Sequence, residues 1–191
     1  MPRSHPRYEQ MNLMNTVVGG LFSARLNMNL REDKGYSYGC YSNLAATRGA
    51  GAISAATSVR TDVTGPAIRE ILHEYQRMTA EPPTTEEVAA AKDFWSRALP
   101  GFFETSEAVS QTFGTLFLLD QPADYYAKLP AKISGVTPAQ VHEAAKELLH
   151  PERMIIVAVG DRTQLEPQLQ GLELGAVSHR AADGTEAPTA N

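Results

Sequence analysis

The sequence is poor in the residues that usually announce chemistry. It has one cysteine in 191 residues, Cys40. That excludes an internal disulfide, a four-cysteine zinc site and a Cys-x-x-Cys redox pair. Cys40 lies in a strand-like run, where a small buried hydrophobe is expected. The five histidines, His5, His73, His142, His150 and His179, include no pair four residues apart. A helix-borne hydrolytic zinc site needs two imidazoles one turn apart with an acid in reach, so none is encoded locally. Gly19-Gly20 and Gly49-Ala50-Gly51 lack the spacing that cradles phosphates, and no nucleophile elbow is present. Basic residues are not in excess: 17 against 22 acidic, a net charge of -5. Nothing therefore points to nucleic acid as a partner. No basic amphipathic run and no apolar stretch of membrane-spanning length occurs, so membrane insertion is not expected. The opening residues, MPRSHPRYEQMNLMN, carry no apolar signal core. The chain as given reads as cytoplasmic, or as periplasmic if a signal sequence lies upstream.

A hydrophobic content of 42% suffices for one domain with a sizeable core. Met11, Leu13, Met14, Val17, Val18, Leu21 and Phe22 recur at helical spacing, predicting an amphipathic helix from about Pro6. Gly19-Gly20 should loosen it, and Ser23 is positioned to cap a second short helix reaching Asn29 or Leu30. After a turn marked by Gly35 come two strand patterns, Tyr36 to Ala46 and Gly49 to Val59, joined at Thr47-Arg48-Gly49. Alternation predicts that Tyr36, Tyr38 and Cys40 share one face. A helix begins at Asp62 or Thr64 and ends near Met78. Thr84 with Glu87 forms a capping-box pattern. Helices are expected at about 85–97, 103–118 and 123–130, and from Thr137-Pro138 to about His150. Met154 to Val159 reads as a short buried strand, and Asp161 as the cap of a helix to about Gln170. Residues 1–178 are expected to form one domain, with 179–191 a disordered polar tail.

This order predicts an α+β fold, an antiparallel-rich sheet with helices packed on one face. Two or three strands make a thin sheet for so much helix. A strand supplied by a partner and a strand missing at the N-terminus both account for it. Within this plan Arg31 falls at a helix end and Tyr38 seven residues later on a strand. Both are good donors to a carbonyl or a developing oxyanion. The structural alternative is that Arg31 pairs with Glu32, Asp33 or another acid while the tyrosines are half-buried sheet aromatics.

The run Asn15-Thr-Val-Val-Gly-Gly-Leu-Phe-Ser-Ala-Arg-Leu-Asn-Met-Asn-Leu-Arg-Glu-Asp-Lys-Gly-Tyr-Ser-Tyr-Gly resembles the second, non-metal domain of the pitrilysin-type (M16) inverted-zincin peptidases. The resemblance extends over about residues 7–178, through Thr84-Thr-Glu-Glu, Val136-Thr-Pro and Met154-Ile-Ile-Val-Ala-Val-Gly-Asp161. It implies the M16 metallopeptidase (LuxS/MPP-like metallohydrolase) fold. It also implies that two halves close around a chamber, one bearing a His-x-x-Glu-His zinc helix and the other holding the peptide. Arg31 and Tyr38 map onto the substrate-holding arginine and tyrosine and are the candidate catalytic residues. No metal or cofactor site is expected in this chain, zinc lying on the partner domain or subunit. The implied partners are that zinc-bearing half, a peptide substrate, and further copies or subunits in a homo- or hetero-oligomer. The resemblance leaves two alternatives: a non-catalytic scaffold or assembly subunit of the same fold, as in the core proteins of respiratory complex III, or a fragment without autonomous activity. The family domain usually opens with a strand that is absent before Pro6, so an N-terminally truncated domain is expected.

Overall fold

The computed structural model describes residues 2–172 and 174–186. Helix α1 (Tyr8–Asn15) runs on through the π-helical turns Thr16–Gly20 and stops where Leu21 becomes extended. The expected loosening at Gly19-Gly20 is thus a change of helical pitch followed by a break. A short α2 (Arg25–Asn27) continues as the π-helical turns Met28–Asp33. Ser23 does not cap it; Ala24 occupies the cap position without a side-chain bond.

Strands β1 (Ser37–Ala45) and β2 (Ala52–Val59) pair antiparallel. Among the described residues they are the whole sheet. Leu44 faces Ile53, Ser42 faces Ala55, Cys40 faces Thr57 and Ser37 faces Val59. The last two pairs set three steps of β1 against two of β2, so β1 holds a bulge at Tyr38-Gly39. The expected common face of Tyr36, Tyr38 and Cys40 is therefore broken. Cys40 is fully buried, whereas Tyr38 is 96% exposed.

Helices α3 (Thr64–Ala80), α4 (Thr85–Ala98), α5 (Ser106–Leu118), α6 (Tyr125–Ser134), α7 (Pro138–Leu148) and α8 (Arg162–Gln170) follow. A three-residue 3-10 turn, Thr61–Val63, leads into α3. Local chemistry sets several of their starts. Thr84 and Glu87 form the anticipated reciprocal box, and Thr137 forms another with Gln140 behind Pro138. Asp161 accepts the Thr163 N–H at the head of α8. The core joins Leu13, Met14, Val17 and Val18 to Leu26, Leu30, Cys40, Tyr75 and Met78, and then to Val88, Leu129 and Val141. The result is the expected α+β arrangement, a small antiparallel sheet packed against helices.

Two close approaches fix the sheet on the helices. A Cβ at Gly19 would lie 2.4 Å from the Ser42 nitrogen and 2.6 Å from its Cβ. The first helical unit therefore touches the β1 backbone directly, which a side chain would prevent. Asn15 Nδ2 donates to the Ser42 carbonyl at 3.3 Å, Ser42 Oγ donates to Asn15 Oδ1 at 2.7 Å, and Tyr75 Oη lies 3.1 Å from Ser42 Oγ. These buried polar groups satisfy one another, which is the condition for burying them.

Met154–Val159 forms no strand, correcting the expectation. Ile155, Val157 and Val159 are 92%, 81% and 94% exposed, and no neighbour pairs with their backbone among the described residues. A β-branched run needs a ladder partner to become a strand, and here it has none. Of the expected disordered tail, residues 187–191 lie outside the described residues; within 179–186, Arg180 bridges to Glu186.

Candidate functional site

Arg31 and Tyr38 flank one tight connection between the Met28–Asp33 turns and β1. Gly35 makes the reversal with φ +61°, a backbone conformation that L side chains rarely adopt. Lys34 N donates to Asn29 O at 3.0 Å and Tyr36 N to Leu30 O at 2.8 Å, tying the strand's entry to the helical end. Two asparagines pin the segment from behind. Asn27 Oδ1 accepts the Cys40 N–H at 3.2 Å, and its Nδ2 donates to Phe22 O at 2.7 Å. Asn29 Nδ2 donates to Glu70 at 2.9 Å and Glu74 at 2.8 Å on α3. Partial burial acts to raise the Glu70 carboxyl, but the Asn29 bond and nearby Lys34 outweigh it and hold it below the usual range.

A part-buried ion pair anchors the start of the same segment. Arg25 Nε and Nη2 donate to the two Glu87 carboxylate oxygens at 2.6 and 2.8 Å. Such a fork is the strong geometry for this pair. Burial acts to raise Glu87, yet the Arg25 bond and the Thr84 N–H keep its carboxyl below the usual range. Glu87 therefore caps α4 and holds α2 with one side chain.

The Arg31 guanidinium lies at the surface. Its Nε is 3.3 Å from Glu32, and its Cζ sits 4.5 Å from the centre of the Phe22 ring. Pairing with an adjacent acid, the structural alternative for Arg31, does occur. It coexists with a cation–π contact that fixes the plane of the guanidinium from below. Tyr38 stands on the bulge. Gly39 N donates to Ser37 Oγ at 3.1 Å and Thr57 Oγ1 donates to Gly39 O at 2.9 Å, holding the bulged backbone. The Tyr41 ring packs over Gly39, where a Cβ would meet it at 2.7 Å. Arg31 and Tyr38 share no hydrogen bond, ion pair or ring contact with each other. The fold thus brings their backbones to one hydrogen-bonded turn, with Tyr38 open to solvent and Arg31 half-exposed. Helical spacing places Phe22 on the apolar face of the first helix, but the chain breaks at Leu21 and Phe22 instead lies exposed beneath Arg31. The bulge did have a sequence signal: a glycine inside a strand pattern.

Among the described residues, no group of three or more His, Cys, Asp or Glu side chains is placed to hold a metal. Four histidines have other partners: His5 with Glu147 at 3.1 Å, His142 Nε2 with the Thr79 carbonyl at 3.0 Å, His150 with Glu152 at 3.7 Å, and His179 with Glu166 at 3.4 Å. Burial pushes the Cys40 thiol up to about 12, so it is a packed hydrophobe and no nucleophile. No described helix is long and apolar enough to cross a membrane.

The fold is a small antiparallel sheet packed against helices, and among the described residues no cluster of metal-ligating side chains is present. The chain matches the family described as the peptidase M16 inactive domain, over residues 1–94. Solved structures similar in fold reach further along it. A peptidase M16 inactive domain from Pseudomonas fluorescens superposes with a TM-score of 0.70 at 24% identity, covering 79% of this chain and 36% of that one. The inactive peptidase domain of a Bordetella parapertussis protein gives 0.65 at 16% identity, over 77% and 80% of the two chains. A chain of complex III2 from Candida albicans gives 0.64 at 18%, over 76% and 37%. This chain thus spans about a third of the length of the Pseudomonas structure. No curated protein matches it.

Proposed function

We propose that this chain is the substrate-holding half of an M16-type zinc endopeptidase, acting only beside a domain or subunit that bears His-x-x-Glu-His. The observation that carries this is a donor pair at one hydrogen-bonded turn, Tyr38 exposed and Arg31 half-exposed. Arg31 is steadied by Phe22, and Tyr38 is lifted off the core face by the bulge. A tyrosine so exposed contributes little to the core, and its phenol is free to meet a peptide brought to it. Arg31 would hold a backbone carbonyl of the substrate. Tyr38 would donate to the oxygen that gains charge as the scissile carbonyl becomes tetrahedral. The described donors of this chain do not form a metal site, so the water-activating metal is assigned to the other half.

Affinity isolation of the full-length protein from its native cells tests the reading. The expected result is a His-x-x-Glu-His chain or domain in the same particle, and peptide hydrolysis by the particle but not by this chain alone. Stoichiometric zinc and hydrolysis in this chain alone would overturn it. A particle without any zinc-bearing half would point to the assembly-subunit alternative instead.

A further inference from the structure

A single peptide plane next to Tyr38 is gripped from both sides. The Gly39–Cys40 peptide follows the bulge directly. Its carbonyl accepts from Thr57 Oγ1 at 2.9 Å, and its N–H donates to Asn27 Oδ1 at 3.2 Å. The carbonyl and N–H of a trans peptide point to opposite sides. Thr57 of β2 and Asn27 of α2 therefore hold the plane between them. A bulge disrupts the ladder that would otherwise fix such a plane, and here two side chains take its place. The plane lies one residue beyond Tyr38, so its tilt sets the direction in which the phenol leaves the sheet.

The same asparagine reaches the seat of Arg31. Its Nδ2 donates to the Phe22 carbonyl at 2.7 Å. Phe22 stands in the break between two helical units, after the extended Leu21 and before Arg25–Asn27. There its carbonyl joins no backbone bond among the described residues, and the Asn27 carboxamide meets it. The Phe22 ring in turn carries the Arg31 guanidinium, 4.5 Å from its centre. Asn27 is fully buried, as are Leu26 and Leu30 on the same helical unit. A polar group so placed is costly unless it is bonded. A carboxamide offers a donor and an acceptor from one plane, whereas a carboxylate only accepts and an aliphatic chain does neither. The position calls for an amide because it joins an N–H on one side to a carbonyl on the other.

We infer that Asn27 is a positioning residue that holds the two halves of the donor pair as one unit. Its oxygen fixes the peptide next to Tyr38, and its nitrogen fixes the Phe22 carbonyl behind the seat of Arg31. The linkage is a property of the free chain; its catalytic consequence rests on the peptide-holding reading of Arg31 and Tyr38. A displacement at either bond passes through one carboxamide to the other, so both donors meet a substrate in a set relative position. Misplacement by about 1 Å can cost about 100-fold in rate.

Two magnetic resonances of the full chain report the linkage without any partner. One is the fluorine signal of Tyr38 in fluorotyrosine-labelled protein; the other is the Arg31 Nε–H signal, shifted by the Phe22 ring. Tyr38→Phe and Arg31→Lys assign them. Asn27→Asp keeps the shape and the acceptor but loses the donor, and should move both signals. Asn15→Asp disturbs another buried asparagine bonded to β1 and should move neither, which separates positioning from a general loss of stability. Thr57→Val frees only the Gly39 carbonyl and should move Tyr38 alone. In the wild-type chain the Cys40 amide should exchange with solvent as slowly as the ladder amides of β1. In the assembled protease, Asn27→Asp should lower kcat about 10- to 100-fold with little change in KM. Signals that move while kcat stays would support the linkage and count against the peptide-holding reading. Three results overturn the linkage: a folded Asn27→Asp chain whose signals move no further than those of Asn15→Asp, an unmoved Tyr38 signal in Thr57→Val, or fast exchange at the Cys40 amide. The last two decide the matter even if Asn27→Asp does not fold.

Discussion

Substituting the adjacent glycines Gly19 and Gly20 by alanine should give opposite results. At Gly19 the new methyl would lie 2.4 Å from the Ser42 nitrogen, 2.6 Å from Ser42 Cβ and 3.0 Å from Leu26 Cδ1. The first two distances are to a strand held by its ladder, so the helical unit or β1 must retreat. Overpacking of this kind costs about 1–3 kcal/mol. The retreat also strains the Asn15–Ser42–Tyr75 bonds that converge on the same residue, at about 0.5–1.5 kcal/mol for each bond lost. Alanine's better helix propensity returns about 1 kcal/mol. The net expectation is a loss of about 2–4 kcal/mol, or about 5–15 °C in Tm for a domain of this size. At Gly20 the methyl meets only Thr16 and the Asn15 carbonyl, at 3.4 Å and beyond. Gly20→Ala should therefore be neutral or slightly stabilising. Urea and thermal unfolding followed by far-UV circular dichroism measure both. If Gly19→Ala matches wild type or Gly20→Ala in stability, the close helix-on-strand contact is refuted.

Glu87→Gln breaks the fork to Arg25 while leaving a capping amide, and should cost about 1.5–3 kcal/mol at neutral pH in chemical denaturation, the range for hydrogen bonds to charged groups. Because the folded Glu87 carboxyl is depressed, its contribution is complete above the ordinary value of 4.5 and is lost as pH falls through the folded value. The variant should flatten that acid limb of the stability curve, and an unchanged limb would show that the pair is inert. Cys40, fully buried with its thiol near 12, should react with an aromatic disulfide reagent only in denaturant; fast labelling of the native chain would contradict the packing. Phe22→Leu removes the ring beneath Arg31 without touching the donor itself. It should weaken peptide binding by the assembled protease while leaving Tm within about 2 °C, since a surface change of this kind usually moves stability by about 0.5 kcal/mol.

Structure decided within a few residues is legible in the sequence. The Thr84 and Thr137 starts, the paired strands around Thr47 and the long helix after Thr61 all rest on local caps, turns and periodicities. Structure decided by a distant neighbour is not. Met154–Val159 has the composition of a buried strand, but pairing is non-local, and the edge that would receive it lies across a cleft. Strict alternation puts Tyr38 on one face with Cys40, because a period of two cannot register the extra residue in β1. Ser23 was a plausible cap, yet the chain turns one residue later. Of the candidate site, the residue types and their shared turn were legible. The cation–π seat on Phe22 and the full exposure of Tyr38 were not, since both depend on how the helical unit ends and how the bulge turns the strand.

On the proposed reading, Tyr38 works on the peptide and not on the fold. The direct measurement is kcat for peptide hydrolysis by the assembled protease, zinc-bearing half included, with wild-type chain and with Tyr38→Phe. The phenol makes no hydrogen bond among the described residues, so the variant should fold and assemble as wild type does. Loss of one donor to a developing oxyanion is worth about 2.7–4 kcal/mol, a fall of about 100- to 1,000-fold in kcat. An unchanged rate in a properly assembled complex would contradict the assignment and leave Tyr38 an exposed aromatic on a bulge.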